Sequence, residues 1–292
     1  MIDYKSVQKG YIELFDGYAE RKFDSLSLAN PKLIEAMRYS FFAGGKRVRP
    51  VLMLATASML GVSSDRALPF AFALECVHTY SLIHDDLPAM DNDDYRRGRL
   101  TNHKVYGEAM AILAGDALLN LAFSVCCEQC VENTDKNTCM AARYLADCAG
   151  LHGMISGQVS DILSEQGRVK DAEVLADIEV NKTAKLIMAS VVIPAILADA
   201  NVALIEDFGK KLGVQFQIVD DILDTESNLS VLGKTVGKDE AAGKLTYVTY
   251  YGKDAAKKRV TELYSECISL ISGLKNNGFI TDFCKNLALR IN

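Results

Sequence analysis

Residues Leu74–Gly107 read LECVHTYSLIHDDLPAMDNDDYRRGRLTNHKVYG. The first half is apolar at helical spacing. From Leu68 to Ile83 there is no interior glycine, and Pro69 falls at the predicted helix start, where proline is tolerated. Pro88 disfavours helix at Leu87 and beyond, so the helix breaks where the charge begins. Asp85, Asp86, Asp91, Asp93 and Asp94 place five carboxylates within ten residues, and Arg96, Arg97 and Arg99 follow directly. Carboxylates this close ionise together only with cations among them. An all-oxygen, thiol-free set suits a hard cation such as Mg²⁺. Neighbouring arginines suit an anion that shares the metal, such as a diphosphate. Asp91 lies six residues past Asp85, off the same helical face, and a loop around Pro88 is expected to return it.

A second acidic group lies in Phe216–Asp224, FQIVDDILD. Asp220 and Asp224 are four apart and share one helical face, with Gln217 three before Asp220 on it. Carboxylates in so apolar a helix are costly unless paired or metal-bound. Two such groups imply two helices facing one another across shared metal ions.

These motifs resemble those of the trans-isoprenyl diphosphate synthases, most closely the bacterial type of farnesyl diphosphate synthase. The first aspartate-rich motif is DDLPAMD, with the two-residue insertion typical of the bacterial enzymes. The second is DDILD. The likeness runs from GGKRVRP at Gly44 to GKLTY at Gly243. It implies an all-α isoprenoid synthase bundle around a central cavity, formed as one domain over residues 1–292. The implied reaction is head-to-tail condensation of isopentenyl diphosphate with dimethylallyl or geranyl diphosphate to give farnesyl diphosphate. The alternatives are a geranylgeranyl diphosphate synthase of the same family or a class I terpene cyclase. The cyclase would want an NSE/DTE-type second motif instead of DDILD.

By that resemblance Asp85, Asp86, Asp91, Asp220 and Asp224 hold Mg²⁺, three ions with substrate bound. Lys46, Arg49, His78 and Arg97 hold isopentenyl diphosphate. Arg96, Lys182, Lys234 and Lys244 hold the allylic diphosphate, while Thr183 and Gln217 stabilise the carbocation. Tyr80, five before the first aspartate, is the implied floor for product length, beside the small Ser81. The enzymes of this family imply a homodimer. Asn92, Tyr95, Val248 and the terminal Leu289-Arg290-Ile291-Asn292 depart from the family pattern, which leaves the closing role of the tail open.

The residues also carry plainer readings. Lys46, Arg47 and Arg49 crowd the N-terminus of a helix opened by Pro50, already favourable to an anion. Alone, the three would read as a solvated basic turn. His78 alone would read as a core histidine with its hydrogen bonds met. His84-Asp85 suggests a metal phosphohydrolase pair, but His78 is too near to supply the upstream ligand. An EF-hand reading from Asp91 fails, because Arg96 and Asn102 stand where glycine and glutamate are required. Gly233–Asp239 has too few glycines for a phosphate-binding P-loop.

Composition sets the frame. The chain has 292 residues, 49% hydrophobic, and a net charge of −6. That gives no support to nucleic-acid binding. No uninterrupted apolar run approaches a membrane span, and MIDYKSVQKGYIELF lacks the apolar centre of a signal peptide, so a cytosolic protein is expected. Eight cysteines in mostly apolar helical surroundings fit free thiols. Cys127 and Cys130 lack a second pair at zinc spacing. Five prolines in the whole chain favour helix nearly throughout. Helices are predicted over 3–22, 31–42, 49–60, 66–86, 107–131, 136–164, 171–198, 202–224, 239–251, 254–274 and 278–290, with no strand.

Overall fold

The computed structural model describes residues 3–26, 29–167, 171–226 and 244–291. Helices carry most of the described chain. They are α1 (Tyr4–Asp24), α2 (Pro31–Phe41), α3 (Val48–Leu60), α4 (Ser64–Asp85), α5 (Asn102–Tyr106), α6 (Glu108–Glu132), α7 (Lys136–Ala149) and α8 (Met154–Glu165). Then come α9 (Ala172–Asp177), a π-helical segment (Ile178–Ala184), α10 (Lys185–Leu197) and α11 (Val202–Glu226). The chain closes with α12 (Tyr247–Tyr251), α13 (Lys253–Ile271), α14 (Gly278–Ala288) and a 3₁₀ turn (Leu289–Ile291).

A helix that is apolar all round belongs in the interior. α10, KLIMASVVIPAIL, is buried at every residue from Leu186 to Leu197. It packs against α3, α7 and α11, while α4 packs against α3 and α6. The apolar side chains form one main cluster running from Phe15 to Ile291. The all-α class read from the sequence holds.

Several element boundaries differ from expectation. The predicted helix over 136–164 is two helices, because Gly150 and Gly153 end α7 and start α8 in non-helical backbone. The predicted helix over 171–198 contains the π segment, which widens the turn at Lys182 and Thr183. A short hairpin replaces the strand-free expectation: Tyr95–Arg96 (β1) pairs antiparallel with Arg99–Leu100 (β2). Its turn holds Arg97 and Gly98 at φ 53° and 74°, the left-handed pair of a tight hairpin. Pro69 lies inside α4, not at its start, since α4 begins at Ser64. Of the predicted helix over 239–251, residues 239–243 lie outside the described residues, 244–246 are non-helical, and the helix begins at Tyr247, capped by Thr246.

By length and composition alone, Glu108–Glu132 and Ala172–Leu197 are long and apolar enough to cross a membrane. The most apolar stretch of the second is 72% buried within this fold, as a core helix is. All eight cysteines are free thiols.

Candidate active site

α4 delivers the first acidic group at its C-terminal end. Past Asp85 the chain folds back, with the Asp91 N–H donating to the Asp85 carbonyl at 2.8 Å and the Asp93 N–H to the Asp86 carbonyl at 3.2 Å. The turn around Pro88 thereby returns Asp91 to Asp85. Arg96 places Nε and a terminal nitrogen each 2.7 Å from Asp86 Oδ1. Burial pushes Asp85 up to about 6, against the pull of Lys182, and pushes Asp86 up to about 6 against Arg96.

A cavity of about 390 Å³ opens between α3, α4 and α11. Lys46, Arg49, His78, Arg96 and Arg97 line it from one side, and Gln217, Asp220 and Asp224 from α11, with Arg290 at its edge. Arg49 is half-buried, but its Nε is cut off from solvent without a hydrogen-bond partner in the protein, and burial pushes its pKa down to about 10. An orphaned buried donor calls for an acceptor. Burial and the charges of Arg49, Arg97, Arg96 and Arg47 hold His78 well below its usual value, so it is neutral. Such a surplus of sheltered positive charge suits a polyanion.

Arg47 is a correction to the basic trio. It turns inward, bonded to Glu75 at 2.9 Å, Asp16 at 3.0 Å and the Phe41 carbonyl at 2.9 Å, over the Phe15 and Phe41 rings. The Arg47–Glu75 pair is desolvated, so removing either partner strands a buried charge. Sequence reading misses Glu75, whose only signal is a lone carboxylate in an apolar helix.

A second cavity, about 350 Å³, lies along the other side of α4. Its walls include Met154, Ile155, Val159, Ile162 and Leu186. Tyr80, only 5% exposed, and Ser81 line it from α4, and Asp85 and Lys182 sit at its polar end. The Tyr80 ring meets His84 edge-on at 5.7 Å, and its hydroxyl has no hydrogen-bond partner in the protein. Arg49, His78, Leu82 and Thr183 border both cavities.

The π segment holds Lys182 and Thr183 between α8 and α11. A Cβ on Gly157 would collide with the Lys182 amide nitrogen, and one on Gly213 would meet Ala184 at 2.5 Å. Only bare backbone allows approach this close. Lys182 contacts the buried Asp161, and Lys244 lies 3.7 Å from the same oxygen and 3.5 Å from Glu165. Sequence reading misses Asp161 and Glu165. The signal is present: two carboxylates four apart in MISGQVSDILSE share one helix face. Thr183 donates to Gln217 Oε1 at 2.5 Å. The Lys234 assignment lies outside the described residues.

The donor set fits a hard cation. Asp85 is half-buried and Asp86 buried, both drawn toward the neutral form, the state a cation would reverse. Asp220 faces Arg290 at 3.3 Å across the first cavity. Among the described residues no three His, Cys, Asp or Glu side chains converge on one point. Mg²⁺ usually takes one or two carboxylates plus phosphate and water oxygens, so a full protein cage is not required.

Residues 30–275 match the Polyprenyl synthetase family. The chain belongs to that family. It is 46% identical over 253 residues to farnesyl diphosphate synthase of Micrococcus luteus, covering 85% of each. It is 44% identical to the chloroplastic geranylgeranyl pyrophosphate synthase of Capsicum annuum, covering 86% of this chain and 69% of that one. Its fold matches a geranyltransferase from Legionella pneumophila with a TM-score of 0.85 at 30% identity, covering 98% of this chain and 97% of the other. This polyprenyl synthetase is a prenyltransferase of the type that elongates trans-prenyl chains.

Proposed function

We propose that this polyprenyl synthetase condenses isopentenyl diphosphate with dimethylallyl and then geranyl diphosphate, releasing farnesyl diphosphate and diphosphate. The observation that carries the C15 assignment is Tyr80, a near-buried ring on the wall of the apolar cavity five residues before Asp85. A phenol ring is large and shape-fixed, so it limits the tail that the cavity accepts.

In this reading the isopentenyl diphosphate group sits against Lys46, Arg49, His78 and Arg97. The allylic diphosphate is held by Lys182, Lys244, Lys234 and Arg96. Asp85, Asp86 and Asp91 on one side, and Asp220 and Asp224 on the other, would hold Mg²⁺. Bound Mg²⁺ supplies positive charge to the leaving diphosphate. The lysines and Arg96 neutralise the charge that develops as the allylic C–O bond breaks. The Thr183 oxygen and the Gln217 carbonyl face the cationic carbon. The isopentenyl double bond then forms the new C–C bond. The adjacent proton passes to a diphosphate oxygen, because these motifs place no other base there. Leu82 and the apolar wall keep water from the cation.

The whole chain, 1–292, acts as one domain in the cytoplasm, and as a homodimer. α6 carries exposed apolar side chains at both ends, Ile112 and Leu113 at 44% and 54% and Val131 at 80%, with Asp116, Asn120, Ser124 and Glu128 exposed between them, and we infer that a second copy of the chain covers the two apolar ends.

The test is chromatography of dephosphorylated products made from dimethylallyl diphosphate and excess isopentenyl diphosphate. Wild type is expected to give C15. Tyr80→Ala removes the ring and should shift the product by at least one C5 unit. A C20 product from wild type would assign a geranylgeranyl diphosphate synthase instead. Unchanged C15 from Tyr80→Ala would place the floor elsewhere.

A further inference from the structure

Asp221 is the second aspartate of DDILD and is buried, whereas Asp220 before it is exposed toward the first cavity. One oxygen of Asp221 accepts from Gln217 Nε2 at 2.6 Å, and the other accepts from the Tyr247 backbone N–H at 3.1 Å. Asp221 therefore joins α11 to the start of α12, just past Lys244.

The direction of these bonds matters. An ionised carboxylate only accepts, so Gln217 must turn its NH₂ toward Asp221. Its carbonyl oxygen then points the other way and accepts the Thr183 hydroxyl at 2.5 Å. With its proton committed to Gln217, the Thr183 oxygen keeps its lone pairs for the space it borders, which belongs to both cavities. A flipped amide would reverse every step. Gln217 would donate to Thr183 and use a lone pair, and the hydroxyl proton would turn toward the cavity. A proton facing a forming carbocation destabilises it, and a lone pair stabilises it.

We propose that Asp221 is a positioning residue, not a metal ligand, that fixes the Gln217 amide and through it presents the Thr183 oxygen to the cationic carbon. The inference rests on the reading above that Thr183 and Gln217 face that carbon.

Three variants test it: Asp221→Asn, Gln217→Met and the double variant, assayed with dimethylallyl and isopentenyl diphosphates across a Mg²⁺ titration. Asp221→Asn keeps an acceptor for the Tyr247 N–H but permits the Gln217 amide to flip. It should lower kcat about 10- to 100-fold, the range for partners that orient a working group, with KM and half-saturating Mg²⁺ unchanged. In the Gln217→Met background the same change should cost almost nothing, because the relay is already broken. Independent losses that multiply in the double variant would overturn the proposal. A raised Mg²⁺ requirement in Asp221→Asn would also overturn it and make Asp221 a ligand. Should Asp221→Asn not fold, the swapped pair Asp221→Asn with Gln217→Glu provides the second test. There the introduced carboxylate accepts from both the introduced amide and Thr183, so the hydroxyl direction is restored, and turnover should exceed that of Gln217→Met. Turnover no higher than Gln217→Met refutes the relay. Failure of wild type to form any prenyl product would instead refute the underlying functional reading.

Discussion

Glu179 lies in the π segment, three residues before Lys182, and is 7% exposed, with Oε1 buried and lacking a partner. Burial pushes its carboxyl up to about 8, and the charge of Asp221 adds to this while Arg259 opposes it. The folded protein thus holds a proton that the unfolded chain gives up near the ordinary glutamate value of 4.5. A folded value above the unfolded one stabilises fully below pH 4.5, and the contribution falls away as pH rises to about 8. Each pKa unit is worth about 1.4 kcal/mol, so the full loss is about 5 kcal/mol.

Glu179→Gln replaces the neutral acid by a neutral amide of nearly the same shape. It should leave stability near pH 5 almost unchanged and raise it above wild type at pH 8–9. The assay is thermal unfolding of both proteins by far-UV circular dichroism from pH 5 to 9, at one protomer concentration. For a chain of this size the gap at pH 9 should be on the order of 10 °C. Titrating groups not coupled to Glu179, Asp85 and Asp86 among them, act on both proteins alike, so the difference between the curves reports Glu179 together with its coupling to Asp221 and Tyr247. Parallel curves across the range, or a variant less stable at pH 9, would refute the reasoning.

Asp85→Ala and Asp220→Ala should each lower turnover by orders of magnitude while the fold persists, and wild type stripped with EDTA should recover with added Mg²⁺. Near wild-type turnover of either variant after EDTA treatment rules out the metal assignment. Arg97→Ala and His78→Ala should raise KM for isopentenyl diphosphate, whereas Lys182→Ala should impair chiefly the allylic substrate. Steady-state kinetics varying each substrate in turn checks this, and swapped defects would reverse the two pockets.

The acidic helices are legible in the sequence because their logic is local. Four-residue spacing puts Asp220 and Asp224 on one face, and Pro88 dictates where α4 must break. The return of Asp91 to Asp85 follows from the same proline. The π segment is not legible, since a single widened turn leaves the apolar pattern of IEVNKTAKLIM almost unaltered. The hairpin at Arg97-Gly98 is hidden by its length, too short for any alternation to show. Arg47 misleads because partner choice is a long-range matter. Its carboxylates, Asp16 and Glu75, lie far along the chain on α1 and α4. Asp161 escapes for the same reason, as its partners Lys182 and Lys244 come from other parts of the chain.

α4 separates the two cavities, and its residue spacing explains how one helix serves both. Glu75, His78 and Leu82 fall at intervals of three and four, a single stripe facing the charged cavity. Tyr80, Ser81, His84 and Asp85 form the adjoining stripe on the apolar cavity. His78 and Leu82 lie on the ridge between them and border both. Across from that ridge, the π segment supplies Thr183, the group that α8 and α11 hold in place through Gly157 and Gly213. In the proposed reaction the reacting carbons would meet where the cavities join, between this ridge and Thr183. Changes on one stripe should therefore alter how isopentenyl diphosphate is held, and changes on the other should alter how long a tail fits. Changes at Leu82 should affect both, since a smaller side chain there merges the two spaces and admits water to the cation.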